Sequence, residues 1–547
     1  MKRVLLGLAI LVIVVGGALA YKTWFSGGAA GIHGPLEYAK AEPLAAPAAG
    51  GFQMQTIDLG EGAVPLITVP LDTWGGYAAL FAANGGAAPS KDSLFYKEGR
   101  FAVKLVHVED ATDQLKGYAA GQYPIIWAQM DSLPLLYDTL KSDKRVAPKV
   151  LGLFDWSAGG DGILAKPSVK NPADLKGKTI LTSSNTPFAF FLLWYLAQNN
   201  LTGNDVKVVW VDDGAKALQL FKNSPEIAAW VSWKPYISDC LDSKSPNFVP
   251  NARLMISSKD ANQLIADCYI ARRDFLEGNQ KLAASFVRSM LEAVDSIGPK
   301  TYQDMAAFYG LKAPAAAQIM LADVHIANYP ESAMFFDPKN SIGSEKIFNL
   351  AQEYYKEIGV LPQTADYDPS EVESTPVLAA AGKAGSFSGQ KNSVQNSFNT
   401  NADLSFDSLE SRTVVLTDNV ALYFDPNEDT FDIDSDQQEI RDNMERLDKV
   451  AEQTKFLSTT AIELVGNADP SMKQSFKDKG PQAYVEAAAN LKQLSEERAA
   501  FIKKLLIEHY GLPANRVISK GVGWDNPIDL TDFSKDRRVD VMFVSMK

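Results

Sequence analysis

The sequence predicts a chain of two folded parts, a long α/β region and a smaller α+β domain after it. Three observations carry this. Between about residues 53 and 365, short apolar runs alternate with amphipathic helical segments, as expected of strands linked by helices packed on their sheets. From 366 to 410 apolar periodicity gives way to Ser, Gly, Ala and Asn, as in Ser386-Phe387-Ser388-Gly389, which reads as a flexible linker. From 411 to 547 strand and helix patterns return, and 547 residues exceed what one core serves.

A formal net charge of −13 argues against nucleic acid as a partner, because neutralising phosphates needs clustered Lys and Arg. Met1-Lys2-Arg3 precedes the uncharged run Val4 to Ala20, so residues 1–25 read as a signal peptide or a membrane anchor. Ala18-Leu19-Ala20 suits a cleavage site. The length of the run, with Tyr21, Lys22 and Trp24 just beyond it, suits an uncleaved anchor with an interfacial belt. Both readings place everything after residue 25 outside the cytoplasm. The run holds no acid to relay a proton. Residues 26–52, rich in Gly, Ala and Pro, form a tether.

In the long region, Pro65 to Val69, Val103 to Val106, Pro124 to Ala128, Ile163 to Ala165 and Thr179 to Leu181 read as strands. Asp72-Thr73-Trp74-Gly75-Gly76-Tyr77 follows the first of these, and Asp131-Ser132 follows the third. Thr182-Ser183-Ser184-Asn185-Thr186-Pro187 leads into a helix from Phe188, with Thr186 as N-cap and Pro187 at the first helical position. An aliphatic strand before NPADLKGKTI (171–180), then LTGNDVKVVWVDD (201–213) and AAWVSWKPY (228–236), completes an order that resembles the solute-binding proteins of ABC importers for taurine, alkanesulfonates, nitrate and thiamine precursors. The resemblance implies a type II periplasmic-binding-protein fold over 53–365. Its two α/β lobes, the second from about 155 to 255, would enclose a cleft at strand ends and helix N-termini. Candidate solute contacts are Trp74, Gly75, Asp131, Asp161, Thr182, Ser183, Ser184, Thr186, Asp213 and Trp233. Trp faces suit a cation or an apolar body, whereas each aspartate is as readily a helix cap, and Lys234 belongs to surface or cleft.

Near the C-terminus the strand Ala461 to Val465 ends in Gly466-Asn467-Ala468-Asp469. A helix carrying Leu494-Ser495-Glu496-Glu497-Arg498-Ala499 follows. Gly521-Val522-Gly523, Pro527 and Asp536-Arg537-Arg538-Val539 precede the last strand. This order resembles the OmpA-like peptidoglycan-binding domain, with Asn467-Ala468 where the family has His-Thr and Asp536 where it has Asn. The resemblance implies that Asp469 takes the ammonium and Arg498 the carboxylate of diaminopimelate in a stem peptide, with Arg537 and Arg538 beside them. A fixed anion beside a forked cation matches such a zwitterion. It also implies the periplasm of a Gram-negative-type envelope.

Cys240 and Cys268 would form one disulfide there or stay as two buried thiols. Four scattered histidines and no nucleophile–base, phosphate-loop or zinc motif point to a binding protein with no cofactor and no metal, not an enzyme. The expectation is an extracytoplasmic receptor moored to peptidoglycan. It would capture a small polar or anionic organic solute for an ABC permease or another inner-membrane partner. The alternative is a structural module of an envelope complex that binds no solute.

Overall fold

The computed structural model describes residues 49–547 apart from 141, 184–185, 212–213, 395–413, 417–419, 458–459, 530 and 546–547. The signal or anchor at 1–25 and nearly all of the first tether lie outside the described residues. Among those described, no helix is long and apolar enough to cross a membrane.

The first lobe holds two sheets. β1 (Gln55–Asp58) runs antiparallel to β2 (Ala63–Leu71), which is parallel to β3 (Ala102–His107). β4 (Ile125–Gln129) and β5 (Pro148–Ser157) flank a later strand, β11 (Ala266–Arg272), and β12 (Val324–Ile326) borders β5. The second lobe is built from β6 (Asp161–Ala165), β7 (Thr179–Thr182), β8 (Lys207–Trp210), β9 (Ile227–Trp233) and β10 (Arg253–Ser257), in the order β10-β6-β9-β7-β8. The chain crosses between lobes twice, from β5 to β6 and from β10 to β11. Ser258 ties the crossings together. Its Oγ accepts from the Gly159 and Asp161 amides at 2.8 and 3.2 Å and lies 2.8 Å from Ser157 Oγ.

The helix Pro187–Gln198 is apolar on every side, and Phe188 through Leu196 are buried. Such a helix must be covered all round. One face packs in the second lobe; Trp194 on another meets Phe456 of the C-terminal domain, centroids 6.3 Å apart. Polar contacts join the same surfaces, with Lys449 Nζ 2.7 Å from Asn200 Oδ1 and Lys346 3.1 Å from Glu452.

The stretch read as a flexible linker needs correction. Helices Pro369–Val372 and Thr375–Ala384 lie within it, with Val377, Leu378 and Ala381 buried against the first lobe. Ser374 N donates to Val150 O at 2.7 Å, and Ser344 Oγ donates to Glu373 Oε1 at 2.9 Å. The composition misleads because Ala is a helix former and three apolar side chains at helical spacing suffice for one buried face. Residues 395–410 lie outside the described residues.

The C-terminal domain contains β13 (Val414–Leu416), β14 (Ala421–Tyr423), β15 (Thr460–Gly466), β16 (Val517–Gly521) and β17 (Arg538–Ser545), with helices Gln438–Phe456 and Pro481–Glu508. The sheet order is β13-β17-β15-β16, with β14 also on β17. β15 and β16 are parallel across the long helix, and β17 is antiparallel to β15. Gly466 and Gly521 end the parallel pair where Ser495 and Glu496 press down, and a Cβ at either position would collide with that helix.

Of the two readings of the cysteines, the pair of buried thiols is the one found. Cys240 is buried in the second lobe and Cys268 on β11 in the first, both free. Burial pushes the Cys240 thiol up to about 12 and Cys268 well above its ordinary value. Neither thiol is expected to react with a thiol reagent at pH 8 until the protein unfolds, and dithiothreitol is expected to leave the melting temperature unchanged. Stoichiometric labelling of the native protein would contradict this.

Candidate functional site

Five carboxyl groups gather at one end of the first-lobe strands. Asp72 follows β2, Asp131 follows β4, Asp155 and Asp267 sit opposite one another on β5 and β11, and Asp161 opens β6 at the hinge. Asp131, Asp155 and Asp267 are at most 3% exposed and Asp161 5%. Burial is the largest influence on each and raises its pKa, to about 7 for Asp131 and about 6 for Asp161. The next charges felt are also negative, Asp161 acting on Asp131 and Asp323 on Asp161. Asp155 and Asp267 form a carboxyl–carboxyl pair, both raised chiefly by burial; Asp155 raises Asp267 further, while the hydrogen bond from Asp267 holds Asp155 lower, so the pair retains a proton on the Asp267 side. Asp72 keeps some exposed surface and accepts from Tyr77 Oη at 2.7 Å; burial again raises it, and Glu109 adds to the shift.

The loop after β2 builds the adjoining wall. Trp74 Nε1 donates to Asp155 Oδ1 at 3.3 Å, and Tyr309 Oη holds Trp74 O at 3.0 Å. Gly76 lets this loop lie against the Asp155 carboxyl, and the Trp74 ring lies on Gly160, where any side chain would strike it. Asp131 is different in kind. Both its oxygens are buried without a partner at hydrogen-bond geometry; the Ser132 hydroxyl lies close enough to hold the carboxyl down slightly but donates to Gln129 Oε1 at 3.3 Å. Lys234 of the second lobe pairs with Asp323 of the first across the rim.

Trp74, Asp131 and Asp161, three of the sequence candidates, thus come together. Gly75 instead serves packing, since its α-carbon faces the Met320 carbonyl too closely for a side chain. Thr182 is buried with no partner for Oγ1, and Ser183 Oγ donates to Val211 O at 2.9 Å. Thr186 occupies the N-cap position, but its hydroxyl donates back to Ser183 O at 3.2 Å and caps nothing. Trp233 stacks on Phe188 at 5.1 Å. Ser184 and Asp213 lie outside the described residues. Asp72, Asp155 and Asp267 were not among the candidates. A signal existed for two of them, a lone acid between apolar neighbours: Phe154-Asp155-Trp156 and Ala266-Asp267-Cys268. Among the described residues no His, Cys, Asp and Glu group has the arrangement of a metal site.

In the C-terminal domain, Asp469 follows β15 and lies 3.4 Å from Arg537 Nη1, with its other oxygen on the Ser471 amide at 2.7 Å. Arg498 is 1% exposed. Its Nε, Nη1 and Nη2 donate to the carbonyls of Glu428, Asn467 and Asp425 at 2.8, 3.2 and 3.1 Å, so three of its five N–H donors are used. Burial, then Arg537, lower its pKa to about 10, and it stays cationic at neutral pH. Arg538 is taken up structurally, 2.7 Å from Asp540 and 3.2 Å from Asp536. Asp469, Arg498 and Arg537 converge, and Arg538 faces away into these partners.

Residues 88–298 match the family described as NMT1/THI5 like. The match spans the end of the first lobe's opening segment, the whole second lobe and both crossings, and the architecture there is mixed α/β. No curated protein sequence matches the chain. Among solved structures, the periplasmic aliphatic sulphonate binding protein SsuA from Escherichia coli is 19% identical, over 55% of this chain and 95% of its own, with a TM-score of 0.42. The periplasmic nitrate-binding protein NrtA from Synechocystis PCC 6803 is 13% identical, over 59% and 90%, with a TM-score of 0.41. The desulfurization enzyme DSZB is 14% identical, over 58% and 99%, with a TM-score of 0.38.

Proposed function

We propose that this protein is an extracytoplasmic receptor for a small organic solute, working with an ABC permease or another inner-membrane partner and moored to peptidoglycan by its C-terminal domain. The observation that carries the receptor reading is Asp131. A buried carboxyl with two unpartnered oxygens at the strand ends of a hinged, two-lobed domain costs stability, and a ligand delivered by lobe closure repays that cost. The family match over 88–298 supports the same reading.

The mooring reading rests on Asp469 with Arg498 and Arg537, an anion beside two cations, which suits the ammonium and carboxylate of a diaminopimelate end. Asp469→Asn is expected to cut co-sedimentation of the full chain with isolated peptidoglycan at least about tenfold, a loss of ~1.4 kcal/mol, with the melting temperature unchanged. Undiminished co-sedimentation would remove the mooring.

One observation favours a second reading, a solute-free module of an envelope complex. Trp74 on Gly160 and the Lys234–Asp323 pair bring the lobes together, while surface hollows of ≈280 and ≈350 Å³ lie elsewhere, beside Ala284 and Lys455. Thermal shift against a solute library separates the two: a stabilising compound supports the receptor, and none supports the module.

A further inference from the structure

The charge of the cleft bears on what it takes. Relatives whose names mention sulphonate or nitrate hold anions, whereas the first-lobe side here presents carboxyls. Asp131, Asp155, Asp161 and Asp267 come from four different segments, two inside strands and two at or beside strand ends, yet act on one another electrostatically. The cations nearby are at the rim: Lys234 is committed to Asp323, and Lys259 is exposed. The oxygens left without N–H or O–H donors are Asp131 Oδ1 and Oδ2, Asp155 Oδ2 and Asp267 Oδ1, the last two belonging to the proton-sharing pair. All three residues are fully or almost fully buried.

An anion placed against these oxygens meets repulsion in a medium of low dielectric. An ammonium or guanidinium meets the unpartnered carboxyl oxygens, and each N–H it brings to them makes a charge-assisted bond that is otherwise missing. It also displaces the proton shared by Asp155 and Asp267, so the site needs no counter-ion of its own. A quaternary ammonium has no N–H and leaves the acceptors bare. Trp74 and Trp127, both partly exposed and with Tyr77 packed behind Trp127 at 6.0 Å between centroids, supply apolar area for the carbon frame of the ligand.

We propose that the cleft binds a small organic cation rich in N–H donors, a primary ammonium or a guanidinium, and that Asp131 with the Asp155–Asp267 pair receives its charged end. This rests on the receptor reading above and narrows it.

The test uses the full chain at pH 8, with putrescine, spermidine, ethanesulfonate and nitrate as defined probes. A low-mass cell extract is added before and after passage over a cation-exchange resin. Stabilisation by putrescine or spermidine of at least about 3 °C at 1 mM, or by extract material that the resin retains, is the expected result. Asp131→Asn is expected to weaken that response at least tenfold, while leaving the melting temperature of the unliganded protein equal or higher. A residue with only a packing role would not separate the two readouts in this way. Stabilisation by the anions alone, or by extract material that passes the resin, overturns the cation and leaves the receptor standing. An amine response unchanged in Asp131→Asn overturns the assignment of the carboxyl. No response to any probe or to whole extract overturns the receptor, and the cation with it.

Discussion

Taking the unliganded protein from pH 5 to pH 8 is expected to lower its melting temperature by about 5 °C or more. The carboxyls of Asp131 and Asp161 are raised from 3.8 to about 7 and about 6, mainly by burial, and the Asp155–Asp267 pair is raised as well. The folded state therefore keeps protons that the unfolded chain has released by pH 5. A raised acid contributes stability that is fully present below its unfolded value and is lost as pH rises through its folded value. The loss here begins near pH 4 and is complete near 6 for Asp161 and near 7 for Asp131, so the step from pH 5 to 8 crosses much of it. Asp72, partly exposed, adds less because water screens it. Acids lowered by exposed partners, such as Asp143 through Arg145, act in the opposite sense but have already ionised below this window. Calorimetry across the window checks this, with Asp131→Asn flattening the slope. A flat or rising melting temperature in the parent protein would show that these carboxyls are ionised at no cost, and the orphaned-acceptor argument would lose its basis.

Arg498→Ala is expected to destabilise the C-terminal domain by about 3–5 kcal/mol. The guanidinium ties the carbonyls of Asp425 and Glu428, in the loop after β14, to Asn467 at the end of β15. It also lies over the Phe424 ring, 5.2 Å from the centroid. Alanine leaves three carbonyls without these donors and a cavity in their midst. Lysine repairs little, because one ammonium does not span three carbonyls that a planar fork reaches together. Denaturant unfolding followed through Trp524, which is buried in this domain, reads the change. A variant as stable as the parent would mean that Arg498 is held there for its ligand rather than for the loop. Loss of wall binding in Arg498→Ala thus reports on folding first, and Asp469→Asn is the variant that isolates recognition.

The alternation of apolar runs with helical segments was enough to mark an α/β region, because strand and helix periods are local properties of sequence, whereas its division into lobes near 155 and 255 came only with the family resemblance. The buried acids were half legible. Asp131 and Asp161 follow strands, where a cleft residue is sought. Asp155 and Asp267 lie inside strands and become neighbours only through the β5–β11 register, which is a long-range pairing. The same limit explains the cysteines, whose separation into different lobes no spacing reveals. It explains Arg498 too. Its place on the helix was readable, but its carbonyl partners come from a loop some seventy residues earlier and from a strand end. The helices at 369–384 were missed because a short, alanine-rich segment carries little amphipathic signal of its own and gains its order from the first lobe.

The receptor reading is met most directly by mass spectrometry of small molecules released when the purified full-length protein is denatured. The account predicts one low-mass compound in near-stoichiometric amount, lost from Asp131→Asn. Purified protein that releases nothing, and that no small-molecule extract stabilises, would contradict it.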